Sequence, residues 1–185
     1  MTTEELEKII EKMFNPDGSV NQEEYDNLIK ALYQFDKFYT VVSPSQLKKS
    51  ENGKMHSVPF ASVALDRPVI YLFTEKHIAE FWCESYKASG FITQNNEKLI
   101  SVIYKKDGYS NLFPRCRALG IGSMLVNEGA RYVCVSINKF IADNKIDEHI
   151  TMGLSEIQVI DLLQNNRPSI NCELPVLEVI EKDAE

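Results

Sequence analysis

The stretch from Met13 to Glu24 comes closest to a chemical motif. A calcium loop of the EF-hand kind places oxygen ligands at positions 1, 3, 5, 9 and 12, with a carbonyl at 7 and a glycine at 6 where the chain turns sharply. With Gly18 at position 6, Asn15, Asp17, Asn21 and Glu24 fall at 3, 5, 9 and 12, and Ser19 supplies the carbonyl at 7. Position 1 is Met13, which removes a carboxylate from a site whose affinity follows its charge. A simpler reading covers the same residues. Asp17-Gly18 makes a tight turn, and Asn21 with Glu24 caps a helix. The turn is the expectation, and a calcium site built from Asn15, Asp17, Ser19, Asn21 and Glu24 is the alternative.

Cys116 lies between Arg115 and Arg117. Nearby positive charge lowers a thiol pKa and favours the nucleophilic thiolate, which makes Cys116 the reactive-thiol candidate. Neighbours in sequence can point apart, however, and Gly122 stands where a phosphatase-type cysteine loop carries arginine. A structural cysteine is the expectation. Gly120-Ile121-Gly122 opens a dinucleotide pattern, but Leu125 replaces its third glycine and the run precedes a strand instead of following one. His56, His77 and His149 are widely spaced, and His77 lacks the H-E-x-x-H pattern of a zinc helix. No catalytic residue, metal ligand or cofactor is assigned, and a noncatalytic protein is the expectation. Phe73, Phe81, Trp82 and Tyr86 read as core at helical spacing. Exposed together, they would form a partner groove.

These residues must be carried by elements. Thr2 and Glu5 make a capping box before Leu6, Ile9, Ile10 and Met13. A second helix starts at Asn21 with Tyr25, Leu28, Ile29 and Leu32 on one stripe. Residues 1–36 therefore read as a helical hairpin. Residues 38–43 read as a strand, residues 48–54 as a mobile loop, and residues 58–65 as a strand whose Pro59 marks an edge or bulge. Asp66-Arg67-Pro68 reads as a turn before a central apolar strand, residues 69–73. Thr74 then caps a helix that Gly90 ends. Asn95 or Asn96 is expected to cap another helix burying Leu99, Val102 and Ile103. Residues 108–122, with Pro114 and several glycines, read as irregular. Residues 124–126 and 132–137 read as a hairpin around Asn127-Glu128-Gly129. A short helix at Phe140 and Ile141 comes next, then a helix capped by Ser155 with Gln158, Leu154 and Val159. A final strand spans residues 174–180. Elements so ordered predict an α+β domain, a mixed sheet flanked by helices behind the N-terminal hairpin.

Composition narrows the role. The 185 residues carry 27 acidic and 20 basic side chains, a net charge of −7, so the basic footprint of nucleic-acid binding is missing. No apolar run reaches membrane-spanning length. The acidic start, Met1-Thr2-Thr3-Glu4-Glu5, lacks the basic and apolar regions of a secretory leader, which makes a cytoplasmic protein the expectation. Cys83, Cys116, Cys134 and Cys172 form no C-x-x-C pair and read as reduced thiols.

Residues 38–43, then Ile70-Tyr71-Leu72-Phe73-Thr74-Glu75, then Ala79-Glu80-Phe81-Trp82, resemble the N-terminal domain of SseB-like (enhanced serine sensitivity) proteins. In that family a strand ending in Phe-Thr runs into a helix with a downstream aromatic, often tryptophan. A later strand ends in Asn-Pro-Gly. Met124-Leu125-Val126-Asn127-Glu128-Gly129 is similar to it, with Glu128 in place of proline. The likeness spans residues 38–145 and leaves the N-terminal hairpin outside. It implies a small, mostly bacterial domain within residues 37–180 and brings no catalytic motif. An accessory or protein-interaction domain is therefore expected, with a protein partner or a homodimer compatible. Thr74, Glu75, Asn127 and Gly129 are the expected binding residues, since both segments end strands, where loops of α/β sheets bind. Changing Asn127 is expected to affect binding more than stability. A metabolite-binding regulator or an enzyme of unrecognised type is the alternative, and a closed pocket with convergent polar groups would favour it.

Overall fold

The structure is a computed structural model that describes residues 1–146 and 174–180. His149, Cys172 and the expected helix capped by Ser155 lie outside these residues.

Two helices open the chain. α1 (Thr3–Lys12) has the full capping box: Thr2 Oγ1 accepts from the Glu5 amide at 3.2 Å and Glu5 Oε2 accepts from the Thr2 amide at 2.8 Å. α2 (Gln22–Leu32) is capped by Asn21, whose Oδ1 accepts from the Glu24 amide at 3.2 Å. Their stripes, Leu6, Ile10 and Met13 against Leu28, Ile29 and Leu32, join one buried cluster.

The strands are β1 (Lys37–Val41), β2 (Lys48–Lys49), β3 (Met55–Ser57), β4 (Ala61–Ala64), β5 (Arg67–Phe73), β6 (Ile100–Tyr104), β7 (Ser123–Val126), β8 (Val133–Ser136) and β9 (Leu177–Glu178). The main sheet runs β6-β1-β5-β7-β8. β5 and β7 are parallel and the other pairs antiparallel, so the sheet is mixed and the domain is α+β. β5 gives one edge to β7. Its other edge is shared, with β4 on residues 67–70 and β1 on residues 72–73. A small sheet, β2-β3-β9, stands beside it.

Alternation along the strands divides the core in two. Phe38, Ile70, Leu72, Ile103, Met124, Val126, Val133 and Val135 pack with α1, α2, α4 (Lys105–Ala118) and α5 (Ile137–Asn144). Val41, Val69, Tyr71, Phe73, Ile100 and Leu125 pack with α3 (Lys76–Ser85).

α5 is tied to α2 by Lys139. Its Nζ lies 2.7 Å from Asp143 Oδ2 and 3.0 Å from Asp26 Oδ1. The Lys139 contact, then a hydrogen bond from Gln22, holds the Asp26 carboxyl below its ordinary 3.8. A depressed carboxylate contributes stability that is present above the unfolded value and fades as pH falls through the lower folded one. Asp26→Asn should therefore melt slightly below the wild type at neutral pH. The two should converge below about pH 4, as followed by thermal melting across pH.

Several expectations are corrected. The segment expected as a helix after Asn96 is β6, because Ile100 to Tyr104 pair with all five residues of β1. Asn96 instead sits in a turn at φ 62°. The segment expected as irregular is α4. Tyr109, Leu112, Phe113 and Cys116 recur at i, i+3, i+4 and i+7, all buried, and the helix continues through Pro114. Gly120, at φ 75°, stops it, with the Ile121 amide donating to the Cys116 carbonyl at 2.9 Å. Residues 48–54 are a closed hairpin, β2 to β3, with the Ser50 amide donating to Lys54 O at 2.9 Å. The turn expected at Asp66-Arg67-Pro68 falls on Leu65-Asp66, and Arg67 and Pro68 belong to β5. The final strand is reduced to Leu177–Glu178. Thr74 does not cap α3. Glu75 holds that position without a side-chain cap bond.

Leu65 and Asp66 have φ of 52° and 57°, so the two-residue loop between β4 and β5 has positive φ at both centres. Asn-Gly pairs normally occupy such turns. For leucine the left-handed conformation costs about 1–2 kcal/mol.

Gly108 gives a test of α4 packing. In an exposed helix, glycine to alanine stabilises by about 1 kcal/mol. Here an added Cβ would meet Ile103 Cγ2 at 2.5 Å and Ile103 backbone carbon at 3.4 Å. Ile103 is buried, so overpacking of about 1–3 kcal/mol opposes the gain. Gly108→Ala should lose about 1 kcal/mol net, read as a lower urea midpoint.

Candidate functional site

The parallel strands β5 and β7 end side by side, and the residues just past their ends are bonded to each other. Asn127 sits at φ 60° just past β7 with its side chain only 1 % exposed. Its own amide donates to Leu72 O at 2.9 Å, and its Oδ1 accepts from the Thr74 amide at 2.9 Å. Asn127 Nδ2 donates to Thr74 Oγ1 at 3.0 Å. Thr74 Oγ1 in turn lies 2.9 Å from Thr3 Oγ1 at the start of α1. One buried amide thus fastens the ends of two strands and, through Thr74, the N-terminal hairpin. Asparagine suits the place because it tolerates the left-handed region and offers a donor and an acceptor on one short arm.

The β7–β8 connection lies against α3. Glu128 accepts the Trp82 indole N–H. Gly129 sits at φ 93°, a left-handed conformation that suits glycine, and a Cβ there would make only ordinary contact with Phe81 at 3.5 Å. Trp82 packs at 4.3 Å, tilted, against Tyr86 and meets Phe91 edge-on at 4.8 Å. Phe60 and Tyr71 complete the cluster. Burial is the first reason the Tyr71 hydroxyl is held above 10.0, followed by the Glu128 charge. Burial also pushes the Cys83 thiol up to about 12, which makes it an inert packing group. Phe81 stays 59 % exposed on the outer face of α3.

Beside this junction lies an open groove of about 550 Å³ lined by Lys37, Tyr39, Thr74, Glu75, Lys76, His77 and Glu80. Antiparallel pairing of Tyr39 with Phe73 brings the start of β1 to the end of β5, so Lys37 and Tyr39 join residues far away in sequence. Lys37 Nζ stands 5.1 Å from the Tyr39 ring centroid, and His77 Nδ1 lies 3.1 Å from Glu75 Oε2. The wall carries both signs of charge on the start of β1, the end of β5 and the first turns of α3.

The four expected binding residues therefore divide. Thr74 and Glu75 line the groove, Asn127 holds Thr74 from beneath, and Gly129 turns the β7–β8 connection near Phe81 without lining the groove. Because the Asn127 side chain is buried and bonded to Thr74, replacing it should cost stability as well as disturb the groove above it. Lys37, Tyr39, Lys76, His77 and Glu80 were missed. The Phe-Thr strand end lies next to Lys76, His77 and Glu80 in the chain, whereas no local signal links Lys37 or Tyr39 to this groove. Glu84 turns to Lys98 at 3.2 Å and does not join the groove.

The EF-hand-like loop is closed by its own bonds. Phe14 and Val20 form an antiparallel bridge. The Ser19 carbonyl, the position-7 oxygen of a calcium loop, accepts from the Asn15 amide at 2.8 Å. Asp17 Oδ1 accepts from the Ser19 amide at 2.9 Å and from Ser19 Oγ at 2.6 Å, which holds its carboxyl below 3.8. Asn21 caps α2, and Met13 is buried. The oxygens are arranged for a turn. Cys116 is fully buried in the larger core, and Arg115 Nε donates to Asn111 Oδ1 at 2.8 Å. A thiol so enclosed lacks the access a nucleophile needs. Among the described residues no group of three or more His, Cys, Asp or Glu side chains is placed to hold a metal, and no helix is long and apolar enough to cross a membrane.

No protein-family model, curated protein or solved structure matches the chain.

Proposed function

We propose that the chain is a noncatalytic accessory or protein-interaction domain of SseB-like kind that receives a polypeptide partner at the groove beside Thr74 and Glu75. The groove carries the reading. Small-molecule sites are typically enclosed and mostly apolar, with a few convergent polar groups. This one is open, and lysine, histidine and glutamate line it together. An extended polar segment with both charges complements such a wall, as charged rims do in protein recognition. The SseB-like pattern at residues 70–75 and 79–82 supports the same surface.

The test is affinity purification from the source cell with wild type, Lys76→Glu and Glu80→Lys. A partner recovered with wild type and lost with both reversals supports the groove. A partner retained by both places recognition elsewhere. Native mass spectrometry of the untreated protein addresses the alternative. A small-molecule adduct surviving purification would favour a metabolite-binding regulator and sink the interaction reading.

A further inference from the structure

We propose that β4 is a self-pairing edge, and that two copies of the chain join across it in antiparallel fashion about a two-fold axis at Ser62. β4 pairs with β5 through Ala61–Ile70, Ser62–Val69, Val63–Pro68 and Ala64–Arg67, and among the described residues no strand pairs with its other edge. Antiparallel pairs alternate between bonded and non-bonded. Pro68 has no N–H to give, so Val63–Pro68 is a non-bonded pair. Ser62 and Ala64 then bond to β5, while the N–H and C=O of Ala61 and Val63 face outward.

Open edges are ordinarily blunted with charge, proline or a bulge. In the small sheet the outer strand is Lys48-Lys49, which follows that rule. β4 breaks it. Its residues are Ala, Ser, Val and Ala, and Val63 is 72 % exposed. Next to it Leu65, 57 % exposed, keeps a bulky apolar side chain in a left-handed turn that glycine or asparagine would occupy without strain. Retained strain at an exposed apolar residue points to something that covers it.

A second copy fits better than any other occupant. A two-fold contact requires a surface complementary to itself, and an antiparallel edge is its own complement. Centring the axis on Ser62 sets Ala61 opposite Val63 twice, which makes four main-chain hydrogen bonds and keeps like faces of the sheet aligned. On a chain of net charge −7 a self-contact must avoid carboxylates, and residues 61–65 contain none.

The test is sedimentation velocity on the full chain from micromolar to submillimolar concentration. Wild type is expected to approach twice its 21.1 kDa mass. Val63→Lys should weaken the dimer about tenfold or more, and Ala61→Lys should repeat the effect at the other outward residue. Both positions are exposed, and only variants with the Trp82 emission of wild type are scored. A wild type that stays monomeric throughout, or Lys variants that dimerise as tightly as wild type, would overturn the proposal. A monomer whose β4 instead captures an extended segment of a different protein would overturn it too.

Discussion

Asn127→Ala will unfold about 2–4 kcal/mol more easily than wild type, a fall in melting temperature of roughly 5–15 °C. Two causes add. Removing the amide leaves the Thr74 N–H without its 2.9 Å acceptor in a buried setting, at about 1–3 kcal/mol. Alanine must also hold φ 60°, which costs about 1 kcal/mol that asparagine largely avoids. Asn127→Gly separates the two, because glycine takes the left-handed region freely and still lacks the amide. It should recover about 1 kcal/mol of the loss. Urea melts of the three proteins check this. If Asn127→Ala melts with wild type, the junction between the two strand ends contributes nothing and the groove rests on other supports.

Trp82→Ala is expected to cost about 3–5 kcal/mol. The ring is only slightly exposed and lies within 6.3 Å, centroid to centroid, of Phe60, Tyr71, Phe73, Tyr86 and Phe91. Deleting it opens a cavity those five rings cannot close. Trp82→Phe keeps an aromatic plug and loses the indole N–H to Glu128, so its loss should be nearer 1.5–3 kcal/mol, about that of a hydrogen bond to a charged group. Circular dichroism melts measure both. Trp82 is the only tryptophan in the chain, so in wild type its fluorescence reports this site alone. Glu128→Ala should shift that emission, and it should melt close to Trp82→Phe, since the two variants remove the same bond.

Residues close in the chain set the local elements. The Thr2–Glu5 box, the Asn21 cap and the stripes of α1 and α2 are decided within a few residues, so their bounds could be read directly. The strand ending at Phe73, the helix bearing Trp82 and the hairpin around Asn127 were legible as elements but not in their bounds, since Arg67 and Pro68 join the strand and Glu75 takes the cap position expected of Thr74. The same pattern also placed Thr74 and Glu75 at the strand end that borders the groove.

Where local signals conflict, long-range packing prevails. Leu99, Val102 and Ile103 fit a helix by spacing, but pairing with β1 makes the segment a strand, since two-sided burial satisfies both faces of a β-branched run. Pro114 and Gly108 argued against a helix that four buried side chains on one stripe maintain. The groove itself could not be read from any window of sequence. Lys37 shares a wall with Glu75 only because β1 and β5 run antiparallel in one register, and Asn127 turns inward only because β7 ends beside β5. Such contacts join residues far apart in the chain. Their energies come from packing and buried hydrogen bonds that exist only once the sheet has formed.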